Sequence, residues 1–188
     1  MKKTPSIRTY IGLGGNLPHP EHGSPVKTLQ AALSALFKNE IIAVRLSPFY
    51  RSAPVPASDQ PWYINAVAEI ETELSADEVL KELHAVEAEL GRVRGQRNAA
   101  RLVDLDLLDH RGEIAPEAPG RATLPHPRLA ERAFVLRPLA DLAPDWRHPV
   151  TGRPIRQLLD ALPADQVTEA LDPQPEPWPA LRFGLKRV

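Results

Sequence analysis

Val79, Leu83, Val86 and Leu90 recur at the three- and four-residue steps of one helix face, directly after a Ser75-Ala-Asp-Glu78 capping box. Gly91 stands where that helix should end. An earlier stripe, Val26, Leu29, Leu33 and Leu36, follows Ser24 as N-cap and Pro25 as first-turn proline, which predicts a helix over 25–38. Between the two helices the period drops to two. Ile42, Val44 and Leu46 alternate in one strand. Ile64, Ala66, Ala68 and Ile70 form the apolar face of a longer strand over 63–71, with Tyr63 and Asn65 pointing the other way. Residues 7–13 read as a first strand that runs into a tight polar turn at 14–16, and residues 103–108 as a strand alternating aspartate with leucine. A proline-rich loop covers 52–62. Residues 125–132 read as loop and short helix, 133–136 as extended chain and 154–162 as a final helix.

The order β-α-β-β-α-β predicts an α+β fold, a ferredoxin-like (split βαβ), mostly antiparallel sheet flanked by helices. A doubly wound parallel sheet fits less well, because residues 40–71 hold two strands with no helix between them. With 188 residues the chain has the length of one domain. Proline changes that picture at the end: there are 21 prolines, and five fall in 163–188, where 172–179 reads as extended. The sequence therefore divides into a domain over 1–162 and a Pro-rich C-terminal tail over 163–188, in which Trp178, Leu181 and Phe183 could pack back onto the body.

Hydrophobic residues make up 43% and charged ones 25%, an ordinary globular balance. A net charge of −1 argues against bulk attraction to nucleic acid or an anionic membrane, so no nucleic-acid or membrane partner is expected. No cysteine is present, which excludes disulfides, thiolate metal sites and cysteine nucleophiles. Lys2 and Lys3 resemble the start of a signal peptide, but Gly12, Gly14 and Gly15 break the apolar stretch after Tyr10. No segment approaches the roughly 20 apolar residues that span a bilayer. The expectation is a cytoplasmic monomer.

Candidate chemistry centres on Asp104 and Asp106. In a strand, residues i and i+2 share a face at a separation of about 6.5–7 Å. Two carboxylates that close repel unless a proton or cation lies between them, and all-oxygen donors suit magnesium, which takes one or two carboxylates plus substrate phosphates. An isolated Asp-x-Asp is equally compatible with two solvated residues on the open face of an edge strand. The neighbourhood alters that balance. Arg92, Arg94, Arg97 and Arg101 lead into the strand on a loop without an acidic residue, and guanidinium groups bind phosphate bidentately. Aspartates for a cation beside arginines for phosphates is the composition of a metal–polyphosphate site. Glu87 adds a carboxylate on the flank of the second helix, where it could meet a nucleotide or simply pair with an arginine. His126, held between Pro125 and Pro127 and followed by Arg132 and Phe134, is a candidate phosphate contact or a structural histidine.

No P-loop, Gly-x-Ser-x-Gly or His-Glu-x-x-His pattern occurs. A single-stranded nucleic-acid module is a rival reading, since ferredoxin-like sheets can stack bases. Two aspartates on the binding strand and the near-neutral charge count against it. Another metal-dependent nucleotidyl- or phosphotransferase with a different acceptor is the second rival.

Taken together, the segments resemble the 6-hydroxymethyl-7,8-dihydropterin pyrophosphokinases of folate biosynthesis. The strongest match runs from Arg97 to Leu108, Arg-Asn-Ala-Ala-Arg-Leu-Val-Asp-Leu-Asp-Leu-Leu. Supporting matches are Tyr10-Ile-Gly-Leu-Gly-Gly-Asn16, Phe49-Tyr-Arg51, Asp59-Gln-Pro-Trp-Tyr-Ile-Asn65, Glu87-Ala-Glu-Leu-Gly-Arg92, and Pro125-His126 with Arg132-Ala-Phe134. They recur in the family's order over 10–160. The resemblance implies transfer of pyrophosphate from ATP to the pterin hydroxymethyl oxygen, with release of AMP. It implies two magnesium ions on Asp104 and Asp106, and charge stabilisation of the transferring group by Arg92 and Arg101. Glu87, Arg94, Arg97, Arg121, Thr123, His126 and Arg132 match nucleotide-side positions. Tyr63 and Phe134 match the aromatics that sandwich the pterin; Asn65 matches a residue on its polar edge, and Ser52 and Val55 match backbone contacts to that edge. A flat heteroaromatic ring needs such stacking faces and a few directed polar groups. Core packing is the alternative role for the two aromatics.

The chain departs from a common family form in four places. The loop from Arg92 to Arg101 is one residue shorter, Asn98 stands in place of a tryptophan, and Ala99-Ala100 replaces Gly-Pro. A lid without that tryptophan closes through other contacts. Gly15 replaces a frequent serine.

Overall fold

The computed structural model describes residues 8–92 and 100–176. Its strands are β1 (Thr9–Gly15), β2 (Ile42–Leu46), β3 (Tyr50–Ser52), β4 (Tyr63–Glu71), β5 (Asp104–His110) and β6 (Thr168–Ala170). Its helices are α1 (Pro25–Phe37), α2 (Ala76–Glu89), α3 (Ala133–Leu142) and α4 (Ile155–Asp160), with a 3-10 turn at Leu129–Glu131. The six strands form one sheet in the order β5-β1-β4-β3-β6, and β2 pairs the far end of β4 beyond β3. Every pairing is antiparallel. Helix α1 carries the chain from β1 past β4 to β2, and α2 carries it from β4 past β1 to β5. These are two split βαβ crossovers, the α+β architecture that the pattern predicts.

For α2 the local causes are those read from the sequence, whereas Ser24 begins α1 without a side-chain cap bond. Ser75 caps α2 by accepting from the Glu78 amide while the Glu78 carboxylate accepts from the Ser75 amide at 2.8 Å, and Gly91 leaves the helix at φ 75°. Ile11 and Leu13 of β1, Ala66, Ala68 and Ile70 of β4, and Leu105 and Leu107 of β5 bury one sheet face under α1 and α2. The opposite face is not simply solvated. Tyr10, Val67 and Leu108 point there and are covered by α3 and α4 through Val135, Leu136, Leu139, Leu142, Ile155 and Leu158.

Four expectations need correction. Gly14 and Gly15, expected in a turn at 14–16, are paired residues of β1. Residues 133–136, expected as extended chain, open the ten-residue helix α3. Pro138 lies inside that helix and removes one backbone bond, at a cost of about 3 kcal/mol. Burying the four aliphatic side chains Val135, Leu136, Leu139 and Leu142, each worth roughly 1.5–3 kcal/mol, outweighs it. Residues 50–52, the last of them the first residue of the expected loop, form β3. The compact body also continues beyond Leu162. Strand β6 pairs with the outer edge of β3, Leu171 packs against the core, and Gln174 takes both backbone groups of Phe49, at 2.8 and 3.0 Å. Pro163 and Pro173 flank this strand without entering it, so its ladder is intact. Trp178, Leu181 and Phe183 lie outside the described residues.

Candidate active site

The second sheet face changes character halfway along its strands. Tyr10, Val67 and Leu108 lie under α3 and α4, and the next same-face positions are Gly12 and Gly14 on β1, Asn65 and Tyr63 on β4, and Asp106 and Asp104 on β5. In register, Gly14 lies between Asp104 and Asn65, and Gly12 between Asp106 and Val67. Beyond the helical cover this face opens into a cleft of about 760 Å³. The glycines make its floor: a Cβ on Gly14 would come within 3.3 Å of the Asn65 Oδ1 and 3.9 Å of the Asp104 Cβ. Absence of side chains here leaves a slot between an acidic wall on β5 and an amide wall on β4.

On the acidic wall, Asp104 accepts from Arg101 Nη1 at 2.6 Å and lies 2.5 Å from Arg92 Nη1. Arg92 also pairs with Glu87, which is 1% exposed and whose Oε1 accepts from the Leu105 amide at 2.7 Å. Because β5 is the sheet edge, Glu87 supplies an acceptor that no neighbouring strand offers. Asp106 lies 3.6 Å from Arg132 Nη1 and 3.9 Å from His126 Nε2. Three carboxylates thus meet three guanidinium groups. Burial raises the Asp104 pKa above the ordinary carboxylate value and the Asp106 charge adds to the effect, while Arg101 and Arg92 oppose it. Burial likewise raises Glu87 and lowers His126, which keeps the imidazole a neutral donor or acceptor at neutral pH. Among the described residues no group of three or more His, Cys, Asp and Glu side chains converges as a metal cage. Two oxygen-donor carboxylates suit a hard ion such as magnesium, whose shell is completed by phosphate and water.

On the amide wall, the buried Asn65 donates from Nδ2 to Ser52 Oγ at 2.9 Å, and Tyr63 OH reaches Gln60 Oε1 at 3.1 Å. Phe134 lines the slot from the start of α3, with the Arg132 guanidinium 5.4 Å from its ring centre. Val55 sits at the rim, 60% exposed. Asn16 ties the two walls together. Its Oδ1 accepts from the Arg101 amide at 2.8 Å, and its Nδ2 donates to Pro61 O at 3.0 Å and Gln60 Oε1 at 3.3 Å.

Glu87, Arg92, Arg101, Asp104, Asp106, Ser52, Val55, Tyr63, Asn65, Arg132 and Phe134 therefore line one cleft, with His126 at Asp106. Arg121 does not join them: it is exposed and paired with Asp77 at 2.9 Å, at the start of α2. Thr123, half-buried nearby, is also outside the lining. Arg94 and Arg97 lie outside the described residues. Gly12, Gly14, Gln60, His84 and Arg128 line the cleft without having been singled out. The glycines had a signal, since Ile11 and Leu13 alternate with glycine at even positions.

The 7,8-dihydro-6-hydroxymethylpterin-pyrophosphokinase family matches residues 10–144. A 2-amino-4-hydroxy-6-hydroxymethyldihydropteridine pyrophosphokinase of Pseudomonas aeruginosa is 43% identical over 161 residues, 85% of this chain and 94% of the relative. Its counterpart in Haemophilus influenzae is 44% identical over 140 residues, 74% of this chain and 83% of the relative. A folic acid synthesis protein of Schizosaccharomyces pombe is 36% identical over 84% of this chain, which spans 21% of that longer protein. Among solved structures, Plasmodium falciparum HPPK-DHPS superimposes with a TM-score of 0.59 at 13% identity, over 85% of this chain and 44% of that one, a likeness of fold. By the family match and the near-full-length relatives, this chain belongs to the 7,8-dihydro-6-hydroxymethylpterin-pyrophosphokinase family.

Proposed function

We propose that this chain transfers pyrophosphate from ATP to 6-hydroxymethyl-7,8-dihydropterin, releasing AMP, in folate biosynthesis, and that it does so in the cleft between Asp104 and Asn65. One observation carries the reading: a side-chain-free glycine floor separates a carboxylate–guanidinium wall from an aromatic and amide wall. The first wall suits a metal-bound polyphosphate and the second a flat, polar-edged ring.

In this reading Asn65 and Ser52 hold the polar edge of the pterin while Tyr63 and Phe134 supply its two stacking faces. Asp104 and Asp106 would hold magnesium, two ions in the form expected, which when bound would neutralise phosphate charge and orient the polyphosphate. Arg92 and Arg101, here neutralising Asp104, are within reach of phosphate oxygens close to that carboxylate. Arg132 and His126, which flank Asp106, contact the nucleotide, and Glu87, Arg94 and Arg97 carry over as further nucleotide contacts from the family resemblance. The pterin hydroxyl oxygen attacks the β-phosphorus in line. The bond from that phosphorus to the oxygen bridging the α-phosphate breaks, AMP departs, and Asp106 takes the hydroxyl proton. Rate acceleration comes from positioning and charge neutralisation. The setting assigned is a cytoplasmic monomer acting on two small molecules, in keeping with the lack of cysteine; among the described residues no helix is long and apolar enough to cross a membrane.

Incubation with MgATP and the hydroxymethyl dihydropterin tests this directly. AMP should form in proportion to the pterin, and Asp104→Ala should lose turnover while keeping a cooperative unfolding transition. ADP as the product, pterin-independent nucleotide turnover, or near-normal rates for Asp104→Ala would refute the assignment.

A further inference from the structure

The two halves of the proposed pterin slot come from segments far apart in the sequence. Ser52 lies on β3, and Phe134, with Arg132 beside it, lies at the start of α3. No side chain of Arg132 itself caps α3, so the first backbone amides of this helix need an acceptor from elsewhere. That acceptor is Gln166. Its Oε1 accepts from the Ala133 amide at 2.8 Å, and its Nε2 donates to Glu131 O at 2.8 Å. The two bonds grip the backbone immediately before and after Arg132. The same segment then joins β3: the Ala53 amide donates to Val167 O at 3.3 Å, and Thr168 pairs with Ser52 in the β3–β6 ladder. Three consecutive positions, 166–168, thereby link the segment carrying Phe134 to the strand carrying Ser52.

We infer that Gln166 is a positioning residue for the pterin slot, setting the distance between the Phe134 ring and the Ser52–Asn65 edge. This rests on the pterin-binding reading given above. Gln166 does not line the cleft. Its effect passes through the Glu131–Ala133 backbone to Phe134, whereas Arg132 keeps its own anchor in Asp106. Loss of Gln166 should therefore fall on pterin binding more than on ATP binding. Gln174 is the natural control. Its side chain makes three bonds, to Phe49 N, Phe49 O and Leu171 O, one more than that of Gln166, at the other end of β6 and away from the slot.

The experiment compares Gln166→Ala, Gln166→Glu and Gln174→Ala in the full chain, measuring KM for each substrate, kcat and the unfolding temperature. Gln166→Ala should raise the pterin KM by about five- to tenfold, as expected for two lost backbone bonds, with the ATP KM held within about twofold. Gln166→Glu keeps the acceptor for Ala133 N and should recover part of the loss. Gln174→Ala should lower the unfolding temperature without moving the pterin KM. If Gln166→Ala loses stability but leaves the pterin KM unchanged, or shifts both KM values equally, the positioning role is overturned. If wild-type protein forms no pterin-dependent AMP, the functional reading fails, and the positioning role with it.

Discussion

Glu87 offers a quantitative test of how the acidic wall is held. Its carboxylate is 1% exposed, accepts from the Leu105 amide at 2.7 Å and pairs with Arg92. Because burial raises its pKa, the charge itself is costly in this position. What it supplies is an acceptor for the backbone amide between the two aspartates. Glu87→Ala removes that acceptor and leaves a buried N–H unsatisfied, costing about 1.5–3 kcal/mol as a hydrogen bond to a charged group. The loss stays below the roughly 3–5 kcal/mol of a fully orphaned buried ion, because Arg92 keeps Asp104 at 2.5 Å. For a chain of this size each kcal/mol moves the unfolding temperature by roughly 2–4 °C, so Glu87→Ala should lower it by about 3–12 °C. Glu87→Gln keeps an acceptor of the same shape and sheds the charge, so it should cost less than about half as much. Urea unfolding with an unchanged m-value is the assay. A glutamine variant as damaged as the alanine variant would show that charge, not hydrogen bonding, holds the wall, and the reasoning would fail.

Gly14→Ala places a methyl group 3.3 Å from Asn65 Oδ1 in the floor of the slot. At an overpacking cost of roughly 1–3 kcal/mol, the pterin KM should rise about tenfold while that for ATP stays near wild type; equal shifts in both would place the ring elsewhere. His110 is 1% exposed and burial lowers its pKa below the ordinary value near 6.5. The unfolded chain therefore takes up a proton that the folded one refuses, so this contribution is intact above about pH 6.5 and is lost as pH falls toward the folded pKa. Thermal unfolding between pH 7.5 and 5 should show a shallower decline for His110→Gln than for wild type, and parallel curves would contradict the assignment.

What could be read in advance depended on whether the cause was local. Helix α2 was legible because its stripe, its cap at Ser75 and its stop at Gly91 lie within one stretch of chain. The aspartate pair was legible because a two-residue period places both side chains on one face whatever surrounds them. Helix α3 was not, because Pro138 interrupts a pattern whose stability comes from distant Val67 and Leu108. Strand β6 was hidden for a similar reason: its partner is β3, more than a hundred residues earlier, and the prolines around it resemble those of a solvated tail. At the site, Glu87 could be read as nucleotide contact or arginine partner, and the contact with the Leu105 amide was invisible without the sheet edge. Gly12 and Gly14 contribute by what they lack, and a missing side chain carries little chemical signal in a sequence. The roles of Ser52, Asn65 and Phe134 came from family resemblance, since no spacing rule joins residues on β3, β4 and α3.

The position of β5 at the border of the sheet has a consequence for how these molecules coexist at high concentration. A border strand offers free amides and carbonyls to any neighbouring chain, and proteins protect such strands with charge or with a covering group. Here Glu87 occupies the Leu105 amide, while Asp104 and Asp106 line the same strand with carboxylates. The side chains assigned to cation and phosphate chemistry thus also make this border a poor template for strand exchange between molecules. A variant that neutralises all three would risk aggregation as well as inactivity.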